Sequence, residues 1–569
     1  MSYNLSRRVK RNKFNLSETN GLSGRMGDLI PVYVNHLIPG DTFNIKSFLA
    51  ARFNPMQSPI MTNVDIKTWG FAVPYRIIWD ESQEFFVGKN KSGDVVNPVF
   101  PRANLSVTFK SNQNIPEIGT LSGTDYEYWK YHTENSLSDY LDLPCVPFKE
   151  QTKRVNFFRF LYNSPEFSML EPRAYQSIYN NYFRDQNLED EVKFGTDSYI
   201  YDFNSERART EYKDLMTIRK KAWAKDYFTS ALPSPTMTDD VYIGVNLDPN
   251  ATNNQIVVNR DGSSSSLAPL YSGAYESGDR KLQTNQGGTY TDVNIDPNGT
   301  LNSGTIRELT RARMVYQYLL DVANAGSSRY KDWVKGIFNV TTPDARIQIP
   351  EYIGGDSQNV IISEVLQTSE TDSTPQGTMS GRATSVGGSH NFTYTAREHT
   401  IIMIIACVMP RPSYSSGLPR RHSKFDRFEY YLPQFDHIGD QEIRNSELQI
   451  NLQFNEWEIM NNATFGYQKR FAEYKSSMDR VHGDLRTSLD FWTMARSFGS
   501  PSSGEGDDSI VLNANFIKPT DALLDRPFYV LNVDQESNPS LAPTSHFYLE
   551  IGHNVDAYRP MSKMSNPIV

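Results

Sequence analysis

Cysteine is almost missing: Cys145 and Cys407 are the only two among 569 residues. Two distant thiols cannot make a disulfide framework or a zinc knuckle, and Cys407 falls in an apolar run where a small buried hydrophobe is expected. Long hydrophobic runs are missing as well. The longest wholly apolar stretch, Ile401–Met409, has nine residues, against the roughly 20 that a bilayer-spanning helix needs. The N-terminus is basic, yet the apolar stretch and cleavage site of a signal peptide do not follow it. These absences predict a soluble protein made in a reducing cytoplasm, with no membrane insertion.

Catalytic signatures are equally scarce. There is no G-x-x-x-x-G-K-[ST], no H-E-x-x-H, no G-x-S-x-G and no C-x-x-C. Asp292, Asn294 and Asp296 imitate the start of a calcium loop. Pro297 stands where that loop needs Gly, however, and Ser303 where its bidentate Glu belongs, so a turn is the plain interpretation. His390 and His399 flank a strand candidate with no third ligand nearby in sequence. Glu189-Asp190-Glu191 reads as a solvated acidic patch. No catalytic residue, metal ligand or cofactor is expected, and the chain does not read as an enzyme. A carboxylate pair for glycoside hydrolysis is a three-dimensional property that sequence leaves open.

Negative charge is missing in one place. Arg7, Arg8, Lys10, Arg11 and Lys13 all precede the first acid, Glu18, although the chain as a whole holds 57 Lys+Arg against 66 Asp+Glu, a net −9. A dedicated nucleic-acid binder is usually basic over a whole domain or stripe, so any contact with phosphate must be local. A solvated tail satisfies this composition. The sharper reading is an arm touching DNA; if all five charges met a single strand, the salt slope would be about −3.5.

Aromatic and β-branched residues are plentiful, in short runs cut by Pro, Gly, Asn and Asp. Ile66–Val73 ends at Pro74, and Tyr75–Trp79 follows. Asn391–Met409 alternates and then becomes wholly apolar before Pro410. Ile450–Trp457, Phe528–Val533 and Phe547–Ile551 are further strand candidates. This pattern predicts a β-sandwich or barrel, either as one large domain with insertions or as several domains. Two helices stand out. Thr305–Asn324 opens on a Thr305/Glu308 capping box; Pro172 to about Gln186 carries Tyr175, Ile178, Tyr179, Tyr182 and Phe183 at helical spacing. Between them, from about Thr238 to Gly304, Asn, Ser, Gly, Asp and Thr dominate. Within that stretch Tyr242–Thr252 repeats as Tyr290–Thr300 at seven of eleven positions, each copy a strand ending in an Asp-Pro-Asn turn. A small ordered β excursion is expected there, and a mobile surface loop over Thr368–Ser389.

Read in order, the segments carry a resemblance. Leu29-Ile-Pro31, Leu37-Ile-Pro-Gly-Asp-Thr-Phe43 and Phe71-Ala-Val-Pro-Tyr-Arg-Ile-Ile-Trp-Asp80 come first. Pro172-Arg-Ala-Tyr175, Tyr182-Phe-Arg-Asp-Gln-Asn187 and Asp226-Tyr-Phe-Thr-Ser-Ala-Leu-Pro-Ser-Pro235 follow. The second half has Arg346-Ile-Gln-Ile-Pro-Glu-Tyr-Ile-Gly-Gly355, Val365-Leu-Gln-Thr-Ser369, Gly466-Tyr-Gln-Lys-Arg-Phe-Ala-Glu-Tyr-Lys475 and Phe491-Trp-Thr-Met-Ala-Arg496. Together they resemble the major capsid protein of microviruses, closest to the gokushovirus branch, over essentially the whole chain except residues 238–304.

The resemblance implies a mainly β fold, an eight-stranded antiparallel jelly roll with long loop insertions and a few short helices. It implies sixty copies in a T=1 icosahedral capsid around a circular single-stranded DNA bacteriophage genome, assembled in the bacterial host cytoplasm. The implied partners are further copies of the chain, the genome, an internal scaffolding protein, a small DNA-binding protein, a DNA pilot protein and a host cell-surface receptor. On this basis residues 1–30 are expected to be a basic arm at the inner surface, and 31–237 and 305–569 the two parts of the core. Residues 238–304 would be a variable insertion protruding at the threefold axis. A β-rich carbohydrate-binding or carbohydrate-active protein is the main rival and predicts a monomer or small oligomer. A tail-fibre protein would carry repeats along most of its length, whereas here they are confined to one stretch.

Overall fold

The apolar run of the sequence lies at the centre of the molecule. In the computed structural model, Thr400–Pro410 is a strand in which every residue is buried. Successive side chains of a strand take opposite faces. Ile402, Ile404, Ala406 and Val408 accordingly enter one core, while Ile401, Met403, Ile405, Cys407 and Met409 enter a second. A strand covered on both faces needs apolar residues at consecutive positions rather than alternate ones.

The structure describes residues 11–104, 130–143, 145, 166–202, 205–235, 329–368, 376–377, 379–436 (389 and 390 by backbone only), 439–450, 461–498, 510–528 and 545–563. It also describes the backbone of 270–274, 280–286, 289–292 and 315. The principal strands, numbered in chain order, are β1 (Asn12–Asn15), β2 (Glu18–Gly24), β3 (Ile30–Leu37), β4 (Thr42–Phe53), β5 (Val64–Pro74), β6 (Glu351–Asn359), β7 (Ile361–Leu366), β8 (Met379–Thr395), β9 (Thr400–Pro410) and β10 (Phe547–Arg559).

They form two antiparallel sheets. One is ordered β1-β10-β4-β8-β7, with β2 also on β10; the other is ordered β6-β5-β9-β3. Phe43, Ile45 and Leu49 of β4, with Leu549, Ile551 and Val555 of β10, meet Val32 of β3, Ile66 of β5 and Ile404 of β9 in the core between them. The pairings are nested along the chain: β3 with β9, then β4 with β8, then β5 with β6. The fold is therefore mainly β, antiparallel, with few and short helices.

The far side of the four-stranded sheet is covered by α1 (Leu170–Ile178). Pro172 sits in its first turn, where a missing N–H costs nothing. Leu170, Ala174, Tyr175 and Ile178 pack on the outward residues of β5 and β9. The Tyr175 hydroxyl donates to the Leu29 carbonyl at 2.8 Å and accepts from the Arg219 amide at 3.0 Å, so its one polar atom is satisfied. The expected helix changes character after Ile178, where Tyr179–Phe183 is a π-helical turn.

Several expectations need correction. Tyr75–Ile78 is a helical turn, not a strand. Pro74 closes β5, and Trp79 is fully buried with its indole N–H on Ser198 Oγ at 2.8 Å. Asn391–Met409 is two strands, β8 and β9, split at Ala396–His399. The second half of the loop expected over Thr368–Ser389, from Met379 onward, is part of β8. Its small residues serve close packing rather than looseness: a Cβ on Gly381 would lie 2.4 Å from the Ser58 carbonyl oxygen. Glu189 is not solvated, since Lys518 Nζ lies 2.8 Å from its carboxylate and the Tyr179 hydroxyl donates to it. The Thr305–Asn324 helix, the first repeat, most of Ile450–Trp457 and Tyr529–Val533 lie outside the described residues.

The chain divides into two compact units, Met1–Pro235 with Ser327–Val569, and Thr236–Gly326. The second contains an antiparallel sheet of three strands, Thr289–Asp292, Arg280–Gln286 and Leu270–Ala274 in that order. The first of these includes the start of the second repeat.

Because β9 faces two cores, Ile404→Ala and Ile405→Ala should each destabilise the protein by about 2–5 kcal/mol, measured by equilibrium denaturation. A near-neutral result for either one would show that its face is not a packed core.

Candidate assembly face and the N-terminal arm

Period-2 alternation gives the six-stranded sheet two unlike faces. Along β10 the buried residues Phe547, Leu549, Ile551, His553, Val555 and Ala557 alternate with Tyr548, Glu550, Asn554 and Tyr558, which are exposed. On β4 the outward residues are Lys46, Phe48 and Arg52; on β8 they are Arg382 and Val386. Register aligns these into rows across the sheet. Ile361, Thr384, Arg52 and Tyr548 are successive partners from β7 to β10. Val386, Ala50 and Glu550 form the next row, and Gly388, Phe48 and Gly552 the one after. The Phe48 ring lies over Gly388, where an added Cβ would come within 2.8 Å of it.

This face is bare among the described residues. Val386 is 71% exposed, Ile361 68%, Phe48 51% and Tyr548 50%. Edge strand β7, with Val365 and Leu366 exposed, has no further strand beyond it among the described residues. Large apolar side chains set in rows with Lys46, Arg52, Arg382 and Glu550 make a flat mixed surface. Such a surface has the composition of a protein contact. An open depression of about 530 Å³ beside Phe48 is lined by Ser17, Glu18, Thr19, Lys46, Ser47, His553 and Asn554. Ser47 Oγ lies 2.9 Å from His553 Nδ1, and burial lowers the His553 pKa to about 4, which keeps this ring neutral.

The residues singled out in the basic N-terminus divide. Arg7, Arg8 and Lys10 lie outside the described residues. Arg11 is exposed. Lys13 belongs to β1, opposite Tyr558, and its ammonium lies 2.7 Å from Asp556 of β10. That hydrogen bond, then the attraction of the same carboxylate, raises the Lys13 pKa. Lys13 is thus a fastening of the arm's root rather than a free charge, and from Asn12 onward the segment is sheet. The sequence signals charge without showing that one of the five cations meets an acid more than 500 residues away in the chain.

Buried polar groups in this unit are structural. His546 accepts from the Met26 amide at 3.0 Å and donates to Asp525 at 2.5 Å, while Arg25 holds the same carboxylate at 3.0 Å. Burial lowers the His546 pKa, which fits a neutral ring linking β10 to the segment before β3. Cys407 is buried and its thiol is pushed up to about 12 by burial, so it is inert packing. His399 stacks on Phe86 with ring centroids 3.8 Å apart. No group of three or more His, Cys, Asp or Glu able to hold a metal is found among the described residues, and no helix among them is long and apolar enough to cross a membrane.

The missed signal is the bare face itself. Alternation in β4 and β10 announces an outward face; only the three-dimensional sheet shows that nothing described covers it.

Comparison with known proteins supplies the context. The family described as "Capsid protein (F protein)" matches residues 4–569. Capsid protein VP1 of Chlamydia phage 1 is 27% identical over 559 residues, covering 86% of this chain and 88% of that protein. Capsid protein VP1 of Bdellovibrio phage phiMH2K and of Spiroplasma virus 4 are each 27% identical over 516 residues, covering 86% of this chain and 85% of theirs. The chain belongs to the phage F-type capsid protein family, a component of microvirus-type virions.

Proposed function

We propose that this capsid protein tiles a closed T=1 icosahedral shell of sixty copies around a circular single-stranded DNA genome, with an eight-stranded jelly roll as its rigid block. The observation that carries the reading is the family match along residues 4–569 in a chain whose six-stranded sheet has a flat apolar and charged face that no described residue covers. The nested pairings of β3 with β9, β4 with β8 and β5 with β6 alternate between the two sheets. An antiparallel ribbon folded over on itself gives this arrangement, which supports the jelly-roll assignment. The role is structural rather than enzymatic: a shell needs broad complementary contacts, because each repeats by symmetry and weak contacts add.

In this reading the basic arm meets the genome, and the polar insertion at 238–304 is the outer protrusion at the threefold axis that contacts the host cell surface. An internal scaffolding protein, a small DNA-binding protein and a DNA pilot protein join during assembly in the host cytoplasm. The carbohydrate-active alternative draws no support from the comparisons.

Negative-stain microscopy of the expressed chain, or of particles containing it, should show closed shells; a free monomer under all assembly conditions overturns the reading. Val386→Glu should leave the subunit's stability within the small range of exposed substitutions, about ±0.5 kcal/mol, yet block shell formation. Wild-type yield of shells from this variant removes the bare face from the contacts.

Two further outcomes follow from the ends of the design. Deleting residues 239–303 should leave particles that assemble but attach poorly to cells, and loss of all folded subunits would refute a separable protrusion. Replacing Arg7, Arg8, Lys10 and Arg11 by Gln should lower packaged DNA more than shell yield, with the salt slope of DNA binding reduced by about 2.8. Equal loss of DNA and shells would count against the arm's role.

A further inference from the structure

Residues 420–436 form a surface unlike the sheet face. Three short 3-10 turns, Arg420–His422, Arg427–Glu429 and Pro433–Phe435, fold the sequence RRHSKFDRFEYYLPQF so that its rings turn outward. Phe425 is 91% exposed, and Phe428, Tyr430, Tyr431 and Tyr474 are exposed with it. The rings form a connected set. Tyr431 lies 5.2 Å from Phe471 and 6.4 Å from Tyr474, and Phe428 lies 5.7 Å from Phe435. Arg470 joins the two groups: its guanidinium is 5.7 Å from the Phe435 ring and 5.1 Å from the Phe471 ring, and it donates to the Phe428 carbonyl at 2.9 Å.

Four acids of this surface are already engaged. Glu429 accepts from the Phe425 and Asp426 amides at 2.7 and 3.1 Å, and Asp426 accepts from the Phe428 amide at 3.4 Å. Glu473 is held by Lys424 at 2.6 Å and Gln441 at 2.7 Å, and Asp436 by Lys475 at 3.0 Å. Arg420 is bound to Glu447 at 3.0 Å. Arg421, Arg427 and Arg480 are exposed and have no carboxylate partner among the described residues. Burial, followed by the like charge of Arg421, lowers the Arg480 pKa, so these two guanidinium groups repel each other. An arriving anion relieves that repulsion.

We propose that this surface is a binding platform for single-stranded nucleic acid, in which Arg421, Arg427 and Arg480 contact phosphates while Phe425, Tyr430 and Tyr474 stack on bases. Exposed rings beside unpaired cations are what sequence-independent single-strand binding requires, since every base has a π-face and every linkage a charge. Positive groups freed of acid partners complement a polyanion and serve an electroneutral protein contact poorly. The inference rests on the capsid reading only for naming the strand, which is then the enclosed genome, and it adds a second DNA contact on the folded body, distinct in sequence from the arm.

The test uses the full chain as unassembled subunits, with a fluorescent oligothymidylate about 16 nucleotides long as probe. R421A/R427A/R480A should weaken binding at least about tenfold at low salt and reduce the salt slope by about 2. F425A/Y474A should weaken it about tenfold with the slope unchanged. F425A alone removes a ring that packs on almost nothing, so a loss of binding there is not a folding defect. Wild-type binding by all three variants overturns the proposal. So does normal oligonucleotide binding combined with failed particle formation, which would make the surface a contact between copies. If the wild-type chain forms no shells but the variants still lose the probe, the capsid reading fails and the platform stands.

Discussion

The whole unit is organised around β9, a strand that has no solvent side. Its backbone is satisfied laterally by β3 and β5, and its two faces demand two separate covers. The six-stranded sheet provides one and α1 with its neighbours the other. This demand makes the molecule unequal front to back. Among the described residues the four-stranded sheet is clothed on both faces and the six-stranded sheet on one, its other face carrying Phe48, Val386, Ile361 and Tyr548 to the surface. Doubling the cover behind β9 gives the sheet pair a thick, stiff backing. The bare face can then be exposed without loss of shape, because none of its side chains is needed to close a core.

That separation matters for a protein whose work is contact between copies. A side chain that stabilises the fold and also meets a neighbour ties assembly to folding, so changes in one disturb the other. Here the alternation of β4 and β10 assigns the two tasks to odd and even positions of the same strands. Leu49 and Ile551 hold the sheets together, and Phe48 and Glu550 face outward one residue away. Edge strand β7 extends the face with an edge that no further strand among the described residues pairs, and monomeric proteins normally protect such edges with charge or cover. Its apolar residues Ile361, Val365 and Leu366 do the opposite, consistent with an edge that is covered in an assembly.

How much of this is legible in the sequence follows from the physics of each element. Ile401–Met409 is legible as a buried strand because a two-sided environment leaves no polar gap in the sequence, and Ile66–Val73 and Phe547–Ile551 are legible for related reasons. The helix after Pro172 is legible from its aromatic spacing, although its π-turn is not, since spacing of three and four tolerates one extra residue. β8 is hidden because Gly381 admits the backbone of residues 58 and 59, Ala383 and Ser385 are small beside it, and small polar residues look the same in a loop. Tyr75–Ile78 misleads because aromatic and branched residues suit a strand, while Pro74 has already ended one. Glu189 looks solvated because its partner Lys518 comes from more than 300 residues away. Surfaces are the least legible: alternation says which residues share a face, and only the fold says whether another layer lies over it.

Electrostatics ties these parts to a common constraint. In the proposed role, a chain with net charge −9 around a polyanion would repel its contents on average, so attraction would have to be concentrated at a few places. The N-terminal segment would supply one such place by composition, having no acid before Glu18. The surface over 420–436 would supply another by placement: Glu473 and Asp436 are matched by lysines, Asp426 and Glu429 accept from backbone amides, and Arg421, Arg427 and Arg480 face solvent with no carboxylate partner among the described residues. Lys13 shows the complementary case. Its pairing with Asp556 cancels a charge that the arm could have used, but it anchors the arm's root to β10. A cationic segment attached at a fixed point is confined to the volume its length allows, and its effective concentration toward anything bound beside that point rises accordingly.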